Sequence, residues 1–203
     1  MNNSEGFSGK GLATYKNADT YDGYFKDGIR HGEGTYTYAA SGTEEVKDTY
    51  KGQWVNNVKH GIGKQKYTKN AATGLADEYY GNWENGQRHG EGVMIYANKD
   101  IFSGQWKLGK KDGEGTYIFQ ETRMKYVGQF KAGQLVSGKW LYPNGTYFDG
   151  NFDNNQPKGH GKWHFENGNV VEGDYQQIKR ADVEAENVIK LSWKTTSDIT
   201  AKV

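Results

Sequence analysis

Residues 21–38 read YDGYFKDGIRHGEGTYTY, and this stretch is the unit from which most of the chain is built. Six full copies of it each begin with an aromatic residue, at Tyr21, Tyr50, Tyr79, Phe102, Tyr126 and Phe148. Half-copies at residues 9–15 and 171–175 flank the set. Repeats of this length indicate a linear array in which no single unit can bury its own apolar face.

The repeated unit has the pattern of a β-hairpin. Residues 21–26 and 29–38 are aromatic-rich runs with period-two alternation, and Asp27-Gly28 between them is a hairpin signal. The second loop position holds only residues that adopt positive φ easily, namely Gly28, Asn57, Gly86, Gly109, Gly133 and Asn155. Leu108 and Ala132 precede that position in two copies and fit a strict type I′ turn poorly. A type I turn with a Gly bulge is the alternative there.

A two-residue loop determines which residues pair and which side of the sheet each one faces. The expected pairs are Phe25 with Arg30, Gly23 with Gly32, and Tyr21 with Gly34. One side of the hairpin then carries Tyr21, Gly23, Phe25, Gly32, Gly34, Tyr36 and Tyr38. The other side is polar and carries Asp22, Lys26, His31, Glu33, Thr35 and Thr37. We therefore expect rings to lie across strand glycines, in a ladder of Tyr, Trp and Phe along one face.

The composition agrees with an open array rather than with a globular core. Glycine supplies 29 of the 203 residues, against a usual share of about 7%, and hydrophobic residues make up only 34%. An elongated array needs a core on one side only. We predict an all-β fold: an elongated array of repeated antiparallel β-hairpins that forms a single twisted sheet, with a short C-terminal capping tail.

The repeat boundaries divide the chain into three segments. Residues 1–8 are polar and expected to be flexible, residues 9–175 form the array, and residues 176–203 form a tail. No glycine occurs after Gly173, and residues 182–190 have the pattern of a short helix. Since the last unit of an array exposes a sheet edge, we expect the tail to cap that edge, with docking to a partner as the alternative.

Two of the loops between hairpins are longer than the others. The repeat advances by 29 residues in its first two steps and by 22 to 24 in the later ones, and the extra residues lie at 39–49 and 68–78. Both loops emerge at the same edge of the predicted sheet. Partner contacts and tolerated insertions explain such loops equally well.

The sequence shows no pattern of catalytic or cofactor chemistry. It has no Cys, a net charge of +1, no secretory leader and no apolar run near ~18 residues, so we expect an intracellular protein that does not bind nucleic acid. His31, His60 and His89 recur once per hairpin, about 10 Å apart, which is too far to share a metal ion. The Gly-x-Gly pairs lie in strands and lack the endings of phosphate-binding loops. We expect neither an enzyme nor a bound cofactor or metal.

The pattern Y-x-G-x-W/F-x-x-G-x-x-H-G-x-G resembles the MORN repeat (membrane occupation and recognition nexus) over about residues 9–175. A narrower resemblance is carried by GEGTYIFQETRMKYVGQF, LVSGKW, NFDNNQPKGHGKWHF and EGDYQ in the second half. These stretches are similar to the C-terminal repeats of the MORN subunit of the axonemal radial spoke head, the radial spoke head protein 1 family. In that family, too, a repeat that has lost His-Gly precedes a final one with Pro. The two long early loops depart from the family.

The resemblance implies a non-enzymatic structural subunit of the axoneme of motile cilia and flagella, within the cytoskeleton of the cytoplasm. Such a subunit packs against other spoke-head proteins and faces the central-pair microtubules. Because large apolar patches seldom stay in contact with water, we expect partners to cover the aromatic ladder. Its residues are Tyr36, Tyr38, Trp54, Trp83, Tyr96, Trp106, Tyr117 and Phe119.

Membrane or phosphoinositide tethering is the alternative, since that role is often proposed for MORN arrays. Basic residues precede the His-Gly position in four copies, at Arg30, Lys59, Arg88 and Lys110-Lys111. Acidic residues follow closely, at Glu33, Glu91 and Glu114. A lipid surface attracts clustered positive charge, so this balance of signs favours protein partners.

Overall fold

The computed structural model describes residues 5–39, 48–67, 76–179 and 189–196. Every regular element within them is a β-strand. Nothing in the described part of the chain is therefore a helix of the length and apolarity needed to cross a membrane. The chain divides into two compact units, residues 1–110 and 111–203, which are described in turn.

In the first unit, each strand pairs in antiparallel fashion with the next one along the chain. Its strands are β1 (Gly9–Thr14), β2 (Thr20–Lys26), β3 (Ile29–Thr37), β4 (Thr49–Val55), β5 (Val58–Lys66), β6 (Glu78–Glu84), β7 (Gln87–Ile95) and β8 (Ile101–Lys107). The pairs β2–β3, β4–β5 and β6–β7 are the predicted hairpins, joined by two-residue loops.

The second unit follows the same scheme. Its strands are β9 (Lys110–Ile118, whose first residue belongs to the first unit), β10 (Lys125–Lys131), β11 (Gln134–Leu141), β12 (Tyr147–Asp153), β13 (Gln156–His164), β14 (Val170–Lys179) and β15 (Ile189–Thr195). The predicted all-β array of antiparallel hairpins is confirmed.

The tail residues that the structure describes form a strand. β15 pairs with β14 from Thr195 opposite Gly173 to Ile189 opposite Lys179. β14 itself runs past the expected boundary at residue 175. Of the helix predicted over residues 182–190, only the last two residues lie within the described part of the chain, and they begin β15.

A bulge alters the pairing inside the hairpins. Phe25 pairs with Arg30, as predicted. Gly23, however, pairs with Gly34 rather than with Gly32, because two extra residues of β3 are accommodated between the two pairs. The same shift occurs in β4–β5, β6–β7 and β12–β13. A period-two pattern contains no signal for such an insertion, so the predicted register fails beyond it.

The bulge also decides which glycines face the rings. Gly32 has a φ of +68°, and a side chain there would approach the outward side of β2, so its predicted place on the aromatic side is wrong. Tyr21 lies opposite Tyr36 instead of Gly34. Its ring nevertheless covers Gly23 and Gly34, where an added Cβ would collide with it.

The hairpin loops are type I′ turns, since both loop residues have positive φ. At the second position φ ranges from +58° at Asn155 to +99° at Gly133. Leu108 and Ala132 adopt φ values of +50° and +51° at the first position, like Asp27 at +50°, so the alternative of a type I turn is wrong for them. The flanking strands impose this left-handed conformation on Leu108 and Ala132. It costs a residue that has a side chain about 1–2 kcal/mol.

Rings in the first unit form a continuous series of edge-to-face contacts. Tyr21, Tyr50 and Tyr79 each lie against the aromatic residue of their own repeat and the Trp of the next one, with centroids 5.1–5.4 Å apart. All three are fully buried, and each hydroxyl donates to the backbone oxygen three residues later at 3.0 Å. The predicted ladder is confirmed. Each such ring pair contributes about 0.5–1.5 kcal/mol beyond its buried area.

Candidate functional site

The eight residues predicted to contact partners fall into two groups by exposure. Tyr36, Trp54, Trp83 and Trp106 are 9, 3, 4 and 4% exposed. Tyr38, Tyr96, Tyr117 and Phe119 are half-buried. The first group is therefore closed to solvent, and the second group stays partly open. That any of the eight binds a partner stays a prediction.

The buried tryptophans join neighbouring repeats. Each indole N–H donates to a glycine oxygen of the preceding repeat, with Trp54 bound to Gly34 at 3.3 Å, Trp83 to Gly63 at 3.1 Å and Trp106 to Gly92 at 3.1 Å. Tyr36 is held in a similar way, since its hydroxyl donates to the buried carboxylate of Asp19. Burial, reinforced by this hydrogen bond, raises the pKa of Tyr36 to about 12. These four side chains act as internal staples.

A row of cations lies on the aromatic face, a feature that the sequence analysis missed. The shortest distances from cation to ring centroid are 4.6 Å for Arg30 over Trp54, 4.9 Å for Lys59 over Trp83, 4.6 Å for Arg88 over Trp106 and 4.7 Å for Lys111 over Tyr117. Such contacts are attractive by about 0.5–2 kcal/mol. The sequence did contain a signal for this placement. Paired residues of neighbouring strands lie on the same face, and the pairing of Phe25 with Arg30 was predicted correctly, so Arg30 belongs on the side of the rings.

The arginines of this row also connect one repeat to the loop of the next. Arg30 donates through Nη2 to the backbone oxygen of Asn57 at 3.0 Å, and Arg88 donates in the same way to Gly109 at 2.7 Å. Both guanidinium groups therefore combine ring stacking with a hydrogen bond to the following loop. A guanidinium suits this double role because it is planar and has several fixed donors.

Lys59 occupies the same position in its repeat and is surrounded by rings and a side-chain amide. Its Nζ atom lies 5.3 Å from the ring centroid of Tyr38 and 5.0 Å from that of Tyr50, and it donates to Oε1 of Gln65 at 2.5 Å. Burial lowers the pKa of Lys59 to about 8, an effect that the charge of Asp48 opposes only in part. The rings and the amide therefore hold an ammonium group that has lost much of its water.

Cavities open on the aromatic face beside the two lysines of the row. In the first unit, a cavity of about 400 Å³ is bordered by Lys59, Tyr38, Tyr67, Trp83 and Arg88. In the second unit, a cavity of about 350 Å³ is bordered by Lys111, Tyr117, Phe119, Tyr126 and Phe130, together with the loop at residues 154–156. The structure thus brings Tyr38 and Trp83 to one cavity, and Tyr117 and Phe119 to the other. Tyr96 borders neither of them.

The second unit replaces both the tryptophan and the cation of the repeat. Phe130 and Phe152 stand at the tryptophan position, and they pair with Leu135 and Pro157 at the position of the cation. All four are buried. Phenylalanine is smaller than tryptophan and has no indole N–H, so these repeats lack the hydrogen bond between neighbours. At these two positions of the second unit, an apolar pair therefore replaces the tryptophan and the cation.

The histidines do not converge. Nε2 of His89 lies 3.2 Å from a carboxylate oxygen of Glu84 in the same hairpin. Nδ1 of His31 is buried and has no hydrogen-bond partner. Within the described ranges, no group of three or more His, Asp or Glu side chains has the arrangement needed to hold a metal ion.

The face predicted to be polar also carries exposed apolar side chains. Leu12, Tyr24, Ile62 and Tyr80 are between 51 and 71% exposed. Ion pairs accompany them, including Lys64 with Glu78 at 2.6 Å. The outer face therefore combines polar side chains with exposed apolar ones.

Comparison with known families is consistent with this architecture. A family model described as the MORN repeat matches residues 21–43, 50–71, 79–101, 102–121, 126–147 and 148–170, more than half of the chain. The six matched segments begin at the six aromatic residues that open the full copies. A comparison with curated proteins found no match.

Proposed function

This chain belongs to the MORN-repeat family, and on that basis we propose that it is a non-enzymatic scaffold subunit of the radial spoke head of motile cilia and flagella. In this role it binds other spoke-head proteins, faces the central-pair apparatus and supports the regulation of ciliary beating. The assignment to the spoke head is supported by the similarity of the second-half repeats to that family's C-terminal repeats.

One observation carries the proposed binding role. Tyr117 and Phe119 are half-buried, with centroids 4.8 Å apart, and they border an open cavity that also contains a lysine. Apolar rings beside a few polar groups are typical of interface hot spots, in which Tyr and Trp are enriched. In the first unit, Tyr38 has a comparable place beside Lys59. We assign the partner contacts to these residues rather than to the buried tryptophans.

The position of the basic residues weighs against lipid tethering. The cations that precede the His-Gly position contact rings on the aromatic face instead of forming an exposed cluster. They are Arg30, Lys59, Arg88 and Lys111. Attraction to an anionic membrane depends on several cations close to its surface. Cations that are stacked on rings and bonded to loops are less available for that purpose.

Affinity purification tests the proposal. The tagged full chain is expressed in ciliated cells, recovered from an axonemal extract, and its partners are identified by mass spectrometry. We expect spoke-head proteins to be enriched, and the tagged chain to lie along the axoneme in fluorescence images. Labelling of the plasma membrane, with no enrichment of axonemal proteins, would instead support tethering. As a control, Tyr36→Ala at a buried position separates loss of folding from loss of binding.

A further inference from the structure

The cavity beside Lys111 has one apolar wall, made of aromatic rings. Tyr117, Phe119 and Tyr126 form a chain of contacts, with centroid distances of 4.8 and 5.0 Å between successive rings. Phe130 lies nearby and is 3% exposed. With a volume of about 350 Å³, the cavity is large enough for a side chain and the backbone attached to it.

Two polar groups stand out on the other borders of this cavity. Nζ of Lys111 lies 4.7 Å from the ring centroid of Tyr117 and 5.6 Å from that of Phe130. Burial also lowers the pKa of Lys111. Gln156 also borders the cavity, and its Oε1 atom is buried without a hydrogen-bond partner. Buried acceptors are nearly always hydrogen-bonded in folded proteins, so this atom points to a missing donor.

We propose that this cavity binds an acidic side chain of a partner polypeptide, with its carboxylate at Lys111 and a backbone N–H of the same segment donating to Oε1 of Gln156. The aliphatic part of the acidic residue packs against the rings of Tyr117 and Phe119. This inference rests on the proposed function, because it specifies the chemistry of a partner for the same face.

The composition of the site favours a carboxylate over a phosphorylated lipid headgroup. Lys111 is the single cation among the residues that border the cavity, and a single positive charge matches a single carboxylate. A phosphoinositide headgroup carries several negative charges and is usually held by clustered basic residues. Oε1 of Gln156 lacks a hydrogen-bond donor, and the backbone N–H of a polypeptide supplies one.

Selection from a peptide library tests the inference without knowledge of the natural partner. A phage-displayed library of random peptides is panned on the full chain, and affinities of the enriched peptides are measured by fluorescence anisotropy. We expect these peptides to share an Asp or Glu. Lys111→Gln, or replacement of that acid by its amide, should weaken binding at least tenfold. Gln156→Leu should weaken it several-fold, because it removes one hydrogen bond.

Two matched variants separate binding in the cavity from general attraction between charges. Lys131→Gln removes an exposed cation of the second unit that does not border the cavity, and it should leave the affinity unchanged. Lys111→Arg keeps the charge but places a longer, planar group in the cavity, so it should also weaken binding. Circular dichroism of each variant confirms that it is folded before its affinity is compared with that of the wild type.

Three outcomes would overturn the inference. Enriched peptides without acidic residues, or with equal affinity for Lys111→Gln, would place the contact elsewhere and leave the proposed function intact. Binding to phosphoinositide vesicles that depends on Lys111, without any selected acidic peptide, would assign the cavity to a lipid headgroup. Failure to select any peptide would also count against the inference. If spoke-head proteins are likewise missing from the affinity purification, the proposed function fails as well.

Discussion

Replacing Gly63 by Ala tests whether the tyrosine rings require a bare backbone beneath them. A Cβ at Gly63 would lie 2.5 Å from Cε2 and Cζ of Tyr50 and closer still to the hydroxyl oxygen. The ring has little room to move, because Tyr50 is 0% exposed and contacts Trp54 and Trp83 at 5.2 Å on either side. Its hydroxyl is also bound to the Gln53 oxygen at 3.0 Å. The substitution must therefore displace a ring that is packed on several sides.

The expected loss follows from two contributions. Overpacking of a buried site costs about 1–3 kcal/mol, and loss of the hydrogen bond from Tyr50 to Gln53 costs about 1 kcal/mol. We therefore expect Gly63→Ala to lower the free energy of unfolding by about 3 kcal/mol, as measured by urea denaturation followed by tryptophan fluorescence. Gly109→Asn is the matched control, because that position faces open space and Asn57 and Asn155 occupy it in other repeats. It should change the free energy of unfolding by less than about 0.5 kcal/mol.

A double-mutant cycle identifies the ring as the cause. Tyr50→Ala alone should lower the free energy of unfolding by about 3–5 kcal/mol, as expected for removal of a buried aromatic side chain. In that background, Gly63→Ala should cost less than about 1 kcal/mol, because the nearest atoms to the new methyl group all belonged to Tyr50. An equal cost of Gly63→Ala in both backgrounds would refute the argument that the ring covers this glycine.

Three further predictions concern turns, charge and hydrogen bonding. Ala132→Asn, and likewise Leu108→Asn, should raise the free energy of unfolding by about 0.5–1 kcal/mol in urea denaturation, because Asn adopts the imposed left-handed conformation more easily; a loss of stability would contradict this account of the turns. Because burial lowers the pKa of Lys59 to about 8, the folded state releases its proton while the unfolded state keeps it, so between pH 8 and 10 the wild type should gain about 1–2 kcal/mol relative to Lys59→Met. Parallel denaturation curves across that range would be inconsistent with a dehydrated ammonium group. Tyr79→Phe should lower the free energy of unfolding by about 1 kcal/mol, since it removes only the hydroxyl that donates to the backbone oxygen of Asn82. An unchanged stability in thermal denaturation would show that this hydrogen bond contributes nothing.

The hairpins could be predicted from the sequence because their signals are local. Alternating aromatic residues around Asp27-Gly28 indicate two strands and a turn, and the structure has both. The position of Gly34 opposite Gly23 could not be derived in the same way, because the bulge that produces it depends on packing of the Tyr21 ring over both glycines. Ala132 shows the same limit, since the paired strands impose a conformation that its own preference disfavours.

The candidate site was predicted less completely than the fold. Tyr117 and Phe119 were identified as aromatic residues on the correct face, and they border a cavity. Burial of Trp83 could not be read from its spacing, because it arises from contacts with two tyrosines of different repeats. Lys111 was identified only as one of the basic residues that precede the His-Gly position, and its place 4.7 Å from the ring centroid of Tyr117 became visible in the structure alone.

Paired alanine substitutions at one repeat position test the central claim, that half-exposed aromatic residues bind partners while buried ones hold repeats together. Tyr36 and Tyr117 follow their Gly-x-Gly pairs at the same distance, but Tyr36 is 9% exposed and bonded to Asp19, whereas Tyr117 borders the open cavity. Recovery of spoke-head proteins is measured in a pull-down normalised to folded protein. We expect Tyr117→Ala to reduce recovery at least tenfold, and Tyr36→Ala to lower the melting temperature while leaving normalised recovery unchanged. Undiminished recovery with Tyr117→Ala would contradict the claim and direct attention to the two loops at residues 39–49 and 68–78.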